Sequence, residues 1–548
     1  MKVSTLNQPL IILSQQRDQN TQNKNKPNKI KIIIMETRSA KKKRLLKTEN
    51  ETETGEDWIS DLPDAVLHHI LFLLPIKSIA QTSVLSKRWR SIWSSFPDLD
   101  FTTTTNSVGH FSSTIIKYSS TRKRVHSPLA QGMDFIIPVL ALRDKNSDLR
   151  ILRFCAQLSF SLLNSLIRCA VRRNVQELDI EVATDDYFNL PRCVTTCESL
   201  RVFKLKSRYP GFRLPPLSIM KSGFQSLHTL SLSLVILYQQ SSLVDLFTES
   251  SFPLLKKLSL DACFGLKNLK VGCRGLEDLT LENCFQLNDL NILGGKLERL
   301  RVASCFDAYS SNSLVKIEAP RLKIILWEYN AITESSCLEN LNSLHEASVG
   351  FFVLHEDITV TKRWSISNFL TGLSHVESLT LESQCVEILS KNKHFTSVLN
   401  PFNKLKTLEL RTGFNKHNIP ALACLFRSSS NLHTLIIKIA NDYKIERRQW
   451  NRELWDLSNS GEERYWDLQT QALKFFLHNL KVVKIQGFSE CENDISLAKF
   501  LLKHGKVLEE MIICPGHYNS RDTHRRERIK SQMMEFSRAS SNAKIAFQ

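Results

Sequence analysis

One pattern of apolar positions returns along most of the chain beyond residue 170. It has the form apolar-x-x-apolar-x-apolar, as in Leu276-Leu279-Leu281, and its last positions alternate as in a strand with one buried face. Successive units mostly begin 21 to 32 residues apart. The other units begin at Val175, Leu200, Leu227, Leu255, Leu297, Leu322, Leu344, Val376, Leu405 and Leu432.

A unit of this length cannot bury its apolar side chains alone, whereas stacked neighbours share one continuous core. The spacing lies in the range of leucine-rich repeats. The pattern therefore predicts an α/β fold, in which a solenoid with a curved parallel β-sheet occupies residues 151–440.

The most regular part, residues 255–305, keeps a period of 21 residues twice and places a cysteine three residues after each strand, at Cys263, Cys284 and Cys305. We expect these thiols to bond exposed backbone where the chain leaves the strand. The alternative is a metal site, which we disfavour because each cysteine falls in a different turn without C-x-x-C spacing. The segments 269–271 and 290–292 predict return strands on the opposite face.

Polar residues between the leucines should point into the concave face of the solenoid. Their charges are mixed in sign, which favours a protein or peptide client over a polyanion. For any one of them the alternative is a merely solvated side chain. The residues are Lys257, Ser259, Asp278, Thr280, Glu298 or Arg299, Lys406 and Glu409.

Ahead of the repeats, residues 57–101 carry helical periodicity. A first helix should begin near Asp61 and Pro63, as a cap and a first-turn proline, and should end at Pro75. A second short helix follows, and Ser86 is the predicted N-cap of a third. Three short helices bury little surface alone and usually depend on a partner. The alternative is an ordinary helical hairpin within a larger domain.

The residue types in this stretch resemble the F-box, the module that docks a substrate receptor onto the Skp adaptor of a cullin-based (SCF) ubiquitin ligase. The matching residues run through all three helices: Leu62-Pro63, Ile70-Leu71, Leu74-Pro75, Val84 to Trp89, and Trp93. The resemblance implies adaptor contacts from the Leu-Pro turn, from the apolar stripe of the first helix and from Trp89, although some of these residues must hold the helices together. The implied adaptor-binding residues are Leu62, Pro63, Leu67, Ile70, Leu71, Leu74, Pro75, Val84, Leu85, Ser86, Trp89 and Trp93.

The last part of the chain predicts a strand, a helix, a second strand, a basic helix and a final strand at residues 543–547. It resembles the FBD domain of plant F-box/leucine-rich-repeat proteins. The matching features are Gly487-Phe488, Glu492-Asn493, Leu501 to Lys503, Val507 to Glu509 and Phe536 to Ser540. We expect an α+β cap on the solenoid.

The net charge of +18 is concentrated at the ends of the chain. Residues 1–50 carry +9 and residues 516–548 carry +4, so the remaining 465 residues carry +5. This distribution disfavours a nucleic-acid groove in the body and leaves tail-mediated binding, with strong salt dependence, as a further hypothesis. Lys41, Lys42, Lys43 and Arg44 form a candidate nuclear-import signal, for which a solvated charge run is the alternative.

The first residues lack a signal-peptide core, and no apolar run approaches 18 residues. We therefore expect no membrane partner, a nuclear or cytoplasmic location, and reduced thiols at the thirteen cysteines. A translation start at Met35 is a further hypothesis, which peptides from upstream residues would contradict.

The predicted organisation is a disordered basic tail (1–55), the F-box (56–101), a linker or first-repeat region (102–150), the repeats (151–440), a polar loop (441–464) and the FBD-like domain (465–548). Neither H-E-x-x-H, G-x-x-x-x-G-K nor G-x-S-x-G spacing occurs. We expect no catalytic residue, metal or cofactor.

These features together predict a non-catalytic substrate receptor that binds a Skp-type adaptor, and through it a cullin, and also binds a protein client. The alternative is a repeat-based interaction scaffold that assembles no ligase. Loss of this protein should lengthen the half-life of its client only if the protein is a ligase receptor.

Overall fold

The computed structural model describes most of the chain beyond residue 60. The described residues are 10–13, 32–35, 59, 61–102, 136, 139–140, 143–144, 146–208, 210–237, 243–309, 312–353, 359–391, 401–412, 418–439, 462–488, 492–516 and 523–548.

The chain divides into two compact units. The first contains the residues up to Pro215 together with Leu232–Leu234, and the second contains Pro216–Ser231 and Val235–Gln548. The division passes through the strand Thr229–Ser233 (β9).

The first unit contains the three predicted F-box helices followed by a parallel sheet. Its helices are α1 (Asp64–Phe72), α2 (Ile76–Thr82), α3 (Lys87–Ser95), α4 (Phe160–Arg172) and α5 (Arg192–Thr195). Its sheet strands are β3 (Asp98–Asp100), β4 (Ile151–Leu158), β5 (Glu177–Thr184) and β7 (Val202–Ser207), adjacent in that order. A small second pair joins β6 (Phe188–Asn189) to β8 (Phe212–Arg213).

The sheet of the first unit begins earlier than the sequence pattern indicates. The strand β3 lies inside the segment predicted to be F-box, and Asp98 pairs with Ile151 in the next strand. Because β3 has only three residues, it carries too little alternation to be recognised. Of the predicted linker, most residues from 103 to 145 lie outside the described part, and Ile136, Val139 and Leu140 are helical and buried.

The second unit is built on a longer parallel sheet, whose strands follow one another in chain order apart from the return strands. Its strands are β11 (Lys257–Asp261), β13 (Asp278–Glu282), β15 (Arg299–Ala303), β17 (Ile324–Ala331), β19 (Glu346–Phe352), β20 (Ser378–Leu381), β21 (Thr407–Thr412), β22 (Thr434–Ile439), β23 (Val482–Phe488), β24 (Glu510–Pro515) and β25 (Lys544–Phe547).

In-register pairing brings equivalent repeat positions together. Leu258 pairs with Leu279, and Leu279 pairs with Leu300, each fully buried. Each strand thus contributes its leucines to one stacked core. The strands predicted from the apolar pattern within the two units are confirmed, from β5 to β22.

Return strands form a second sheet in the same unit. They are β10 (Phe247–Thr248), β12 (Asn268–Gly272), β14 (Asp289–Leu293), β16 (Leu314–Glu318) and β18 (Ser335–Glu339), all paired in parallel. The predicted return strands at 269–271 and 290–292 are confirmed as the centres of β12 and β14. A short 3-10 turn, Leu243–Asp245, precedes β10.

Helices replace the return strands later in the second unit. They are α7 (Val360–Gly372), α8 (Ser383–Lys391), α9 (Ile419–Ser428), α10 (Glu462–Gln469), α11 (Lys474–Asn479), α12 (Glu492–His504) and α13 (Thr523–Met534), with α6 (Leu217–Ser222) at the start of the unit. Large aromatic rings fill the space between these helices; Phe426 stacks on Phe476 at 4.7 Å, and Trp466 stacks on Phe500 at 5.4 Å.

The predicted FBD-like block continues the sheet of the second unit. Thr434 in β22 pairs in parallel with Val482 in β23, and the pairing carries on through β24 to β25. Its strands therefore bury their apolar residues by the same stacking as the repeats.

The cysteines of the regular repeats bond backbone at the strand ends, as predicted. The Sγ atom of Cys284 lies 3.3 Å from the carbonyl oxygen of Glu282, and that of Cys305 lies 3.3 Å from the carbonyl oxygen of Ala303. Cys263 makes a longer contact of 4.0 Å to the carbonyl of Asp261. Among the described residues no cluster of His, Cys, Asp and Glu could hold a metal ion.

In the predicted disordered tail, Leu10–Leu13 (β1) pairs antiparallel with Ile32–Met35 (β2), so these eight residues depart from the prediction. The rest of residues 1–55 lies outside the described residues, including Lys41 to Arg44, and so does the predicted polar loop up to residue 461. No helix in the described part of the chain is both long and apolar enough to cross a membrane.

Two buried thiols give a test of the packing. Burial raises the pKa of Cys273 and of Cys385 to about 12, with nearby carboxylates adding to the effect. Both should therefore be neutral at pH 8 and react with iodoacetamide at least about 100-fold more slowly in the folded chain than in urea. Peptide mass spectrometry over a labelling time course would measure this, and equal rates in the two states would contradict the packing.

Candidate functional site

The three F-box helices form their own small core. Leu67 and Leu71 of α1 are fully buried, and the buried face of α3 supplies Trp89, Ile92 and Trp93. Ser86 caps α3 as predicted, since its hydroxyl accepts a hydrogen bond from the Trp89 amide at 3.3 Å. This cap therefore fixes the first turn of α3, the helix that carries both tryptophans.

The start of α1 differs from the predicted cap. The N-cap residue is Pro63, without a side-chain hydrogen bond, so Asp61 does not cap the helix. Instead Asp64 accepts two hydrogen bonds from the Arg88 guanidinium, at 2.8 and 2.6 Å. Arg88 also donates to the carbonyl of Leu62. One arginine on α3 therefore holds the Leu-Pro turn ahead of α1, a contact that the sequence pattern does not reveal.

The twelve residues implied to bind the adaptor fall into two groups. Leu67, Leu71, Trp89 and Trp93 are buried, so they offer almost no surface to a partner. Leu62 is half-buried, and the other seven are exposed: Pro63, Ile70, Leu74, Pro75, Val84, Leu85 and Ser86.

Further exposed apolar residues, outside the predicted set, lie next to the exposed group in the chain. Val66 lies four residues before Ile70 on the same face of α1, and Leu73 and Leu74 follow directly after Phe72, the last residue of that helix. The exposed fractions are 41% for Val66, 38% for Ile70, 77% for Leu73, 39% for Leu74 and 68% for Leu85. We call these five residues the apolar face. The helical spacing to Ile70 is the signal by which Val66 and Leu73 could have been found.

The F-box is fixed to the sheet of the first unit by a buried arginine. Arg143 donates to the carbonyl of Phe96, at the end of α3, and to the carbonyl of Asp148 at 3.1 Å. Burial, with nearby Arg173, lowers the pKa of Arg143 to about 10, so it still carries its charge near neutral pH. The charge strengthens both hydrogen bonds, which offsets part of the cost of burying it.

A second contact lies beside the first. Arg150 forms a two-pronged ion pair with Asp98, at 2.8 and 2.5 Å, and its guanidinium lies over the Phe72 ring at 5.1 Å. Phe72 in turn packs on Phe96, with ring centroids 5.1 Å apart. The end of α1, the end of α3 and the first strand are thus held in one arrangement.

The outward face of the second unit's sheet is dominated by ion pairs between neighbouring strands. Arg299 pairs with Asp278 at 3.0 Å, as expected for outward positions in register. Glu409 accepts from Lys438 at 2.7 Å and from Arg411 at 2.9 Å. Burial would raise the pKa of Glu409, but these hydrogen bonds outweigh it and lower the pKa.

The other outward residues divide by position. Lys257, Ser259 and Thr280 lie on strands as predicted, whereas Glu298 and Lys406 lie one residue ahead of their strands. Glu298 pairs there with Lys323 at 3.0 Å and Lys406 with Glu377 at 2.8 Å. Of the two alternatives at 298 and 299, the strand position is Arg299.

Comparison with known proteins agrees with this arrangement. The family model described as F-box domain matches residues 59–100, and the model described as At1g61320/AtMIF1, LRR domain matches residues 273–546. The chain is 48% identical over 518 residues to the Putative F-box/FBD/LRR-repeat protein At4g03220 of Arabidopsis thaliana, covering 94% of this chain and 100% of that protein.

The chain belongs to the plant F-box/FBD/LRR-repeat family. More distant members are also similar to it. The Putative F-box/LRR-repeat protein At5g02930 and the F-box/LRR-repeat protein 13, both of Arabidopsis thaliana, are 26% and 25% identical over 84% of this chain and 87% and 89% of their own lengths. The resemblance drawn from the sequence is confirmed, and none of these descriptions names an enzyme.

The role of Arg143 in fixing the F-box to the sheet can be tested directly. The change Arg143→Met leaves the buried carbonyl of Phe96 and the part-buried carbonyl of Asp148 without this donor, which should cost about 3 kcal/mol. Amide hydrogen exchange in peptides covering residues 87–100 should then be about 100-fold faster, because local opening becomes easier. Mass spectrometry of deuterium uptake gives the rate.

The matched control is Arg192→Met, at an exposed arginine on α5 in the same unit. It should change exchange in those peptides less than about threefold. If the two variants exchange alike, Arg143 does not fix the F-box to the sheet.

Proposed function

We propose that this chain is the substrate-recognition subunit of an SCF-type ubiquitin ligase. Its F-box binds a Skp-type adaptor and, through it, a cullin, while the repeat surface binds a protein client. The chain itself performs no chemistry. It speeds ubiquitin transfer by holding the client's lysine close to a ubiquitin-charged enzyme, which raises the effective concentration of the reacting groups.

The observation that carries this proposal is the apolar face of the F-box. Leu73 is 77% exposed and Leu85 is 68% exposed, on a module whose core is already complete without them. Exposed leucines beside the helix ends of so small a module are typical of an interaction surface. The family to which the chain belongs supports an adaptor as the occupant of this surface.

The buried members of the predicted set support the same surface indirectly. Leu67 and Leu71 pack inward from α1, whereas Ile70 stays exposed on the neighbouring flank of the helix and Leu74 stays exposed just beyond the end of the helix. The Arg88 contact to Leu62 sets where the Leu-Pro turn lies relative to this face. We therefore assign the buried residues to positioning and the exposed ones to contact.

The client surface is proposed on the outward side of the strands of the second unit. Cross-strand ion pairs such as Arg299–Asp278 keep these side chains in fixed positions, so they present a defined pattern of charge. A folded or extended protein segment of complementary charge suits such a surface better than a uniform polyanion does.

The adaptor contact makes a sharp test. The double change Leu73→Asp with Leu74→Asp places two charges on the apolar face without touching the module's core. Each leucine buried in a complex contributes about 1.5–3 kcal/mol, so adaptor binding should weaken at least about 100-fold. Isothermal titration of the purified chain with a recombinant Skp-type adaptor measures the dissociation constant.

A matched control is the change Leu468→Asp with Phe475→Asp, at two exposed apolar residues of the second unit. This variant should bind the adaptor like the unchanged chain. Retention of the adaptor by the Leu73/Leu74 variant, with a dissociation constant within about threefold of the original, would refute the proposed docking surface.

A further inference from the structure

The outward face of the second unit's sheet becomes partly apolar at the strands β22, β23 and β24. Their outward positions include Ile436, Val482 and Ile512, whereas every outward position of β11, β13, β20 and β21 is polar. The three aliphatic residues are half-buried and alternate with fully buried residues of the same strands. They therefore point away from the core, into the face on which the client is proposed to bind.

A lysine lies between two of these aliphatic residues. Strand register places Ile436 directly opposite Lys484, and Lys484 directly opposite Ile512. Neighbouring strands lie about 4.8 Å apart, so the three side chains form one continuous row. Val482 is on the same face of β23, two residues before Lys484. We call Ile436, Val482, Lys484 and Ile512 the aliphatic–lysine patch.

The lysine of this patch has no carboxylate partner among the described residues. Glu409, two strands away in the same row, accepts from Lys438 at 2.7 Å and from Arg411 at 2.9 Å. Glu510, on the neighbouring strand, stands directly opposite Lys544 in register. Within the described part of the chain, the Lys484 ammonium forms neither an ion pair nor a hydrogen bond. The patch thus carries one uncompensated positive charge.

Another outward aliphatic pair of the second unit lies beside a cation that is already paired. Leu326 stands opposite Arg301 in register, and Ile324 lies two residues earlier on β17. Arg301 bridges Glu282 at 2.5 Å and Glu328 at 2.9 Å. An ion-paired cation has little left to offer a ligand, whereas Lys484 keeps its full charge and three donor hydrogens. The β17 pair is therefore a matched comparison for the patch.

We propose that the aliphatic–lysine patch binds a segment of the client in which an aspartate or glutamate is flanked by aliphatic side chains. The carboxylate accepts a hydrogen bond from the Lys484 ammonium in partly desolvated surroundings, where such a charged contact is stronger than in water. The flanking side chains cover Ile436, Val482 and Ile512 and remove their apolar area from water. The inference rests on the proposed client-binding role and narrows the client to proteins with an acidic–aliphatic segment.

The test uses the full chain, with and without a recombinant Skp-type adaptor, and three fluorescein-labelled nonapeptides. The first alternates leucine with glutamate between glycine ends, the second replaces its leucines with serine, and the third replaces its glutamates with glutamine. The second peptide controls for attraction of any acid to a chain whose net charge is +18. Fluorescence anisotropy should show the first peptide binding at least about fivefold more tightly than either comparison peptide.

Two variants locate the binding. Lys484→Met removes the charge and keeps an apolar stem. Ile436→Thr with Ile512→Thr removes two apolar ends and keeps the branching at Cβ that suits a strand. Each variant should weaken binding of the first peptide about fivefold or more.

Each variant has a matched control in the same unit. Lys257→Met, at an exposed outward lysine of β11, changes the net charge of the chain by the same amount as Lys484→Met. Ile324→Thr with Leu326→Thr makes the same kind of double change at outward positions of β17. Both controls should bind the first peptide within about twofold of the unchanged chain.

The thiol of Cys514 reports the place of binding without a substitution in the patch. It lies on β24, two residues after Ile512 on the same outward face, and is half-buried. The bound first peptide should slow alkylation of Cys514 by iodoacetamide at least about threefold and leave that of Cys155, on β4 of the first unit, unchanged. Peptide mass spectrometry measures both rates, and equal effects on the two thiols would contradict the proposed place of binding.

The inference is overturned if the first peptide binds no more tightly than the comparison peptides, or if either patch variant binds it like its control. Circular dichroism of each variant confirms that it is folded. Weakened peptide binding in both patch variants, with both controls intact, supports the inference. Failure of the unchanged chain to bind the adaptor would instead overturn the ligase assignment, while the peptide measurement on the chain alone stands by itself.

Discussion

Stacking of short parallel strands is the constraint on which the structure of each unit depends. A strand of five residues, such as Asp278–Glu282, buries only two or three side chains, far too few to offset the entropy lost on ordering its repeat. Leu279 is fully buried because Leu258 and Leu300 lie beside it in register. The leucine spacing must therefore be kept from repeat to repeat, while the length of chain between strands can vary. That freedom explains why helices such as Val360–Gly372 replace return strands without interrupting the sheet.

The same constraint explains which features the sequence could predict. Strand positions were recognisable because burial requires the apolar pattern, and the three cysteines because each sits at a fixed offset from its strand. The strand Asp98–Asp100 was missed since three residues show no period. The contacts of Arg143 could not be predicted either, because its partners are the backbone carbonyls of Phe96 and Asp148. Every residue has a backbone carbonyl, so the residue type does not identify such a partner.

The F-box shows more clearly which features the sequence does not predict. Its first helix and the turn that follows are rich in apolar residues, with Val66, Leu67, Ile70, Leu71, Leu73 and Leu74 within nine positions. Periodicity identifies the helix but cannot tell which of its apolar sides is buried, because both sides satisfy the same spacing. Of the twelve residues implied by resemblance, the structure buries four, and Val66 and Leu73 extend the exposed set. Only the packing of the third helix separates residues that hold the module together from residues left for a partner.

The division between buried and exposed apolar residues explains why a small module contains so apolar a helix. Burying Leu67 and Leu71 stabilises the three helices, whereas leaving Leu73 and Leu85 in solvent contributes nothing to folding, since they are equally wet in the unfolded chain. Their apolar area becomes useful only when a second protein covers it. Arg88, Arg143 and Arg150 hold the ends of the helices and the first strand in one arrangement, so little ordering remains to be done when the partner arrives. A pre-ordered apolar face loses less entropy on binding, which lets a surface of few leucines reach useful affinity.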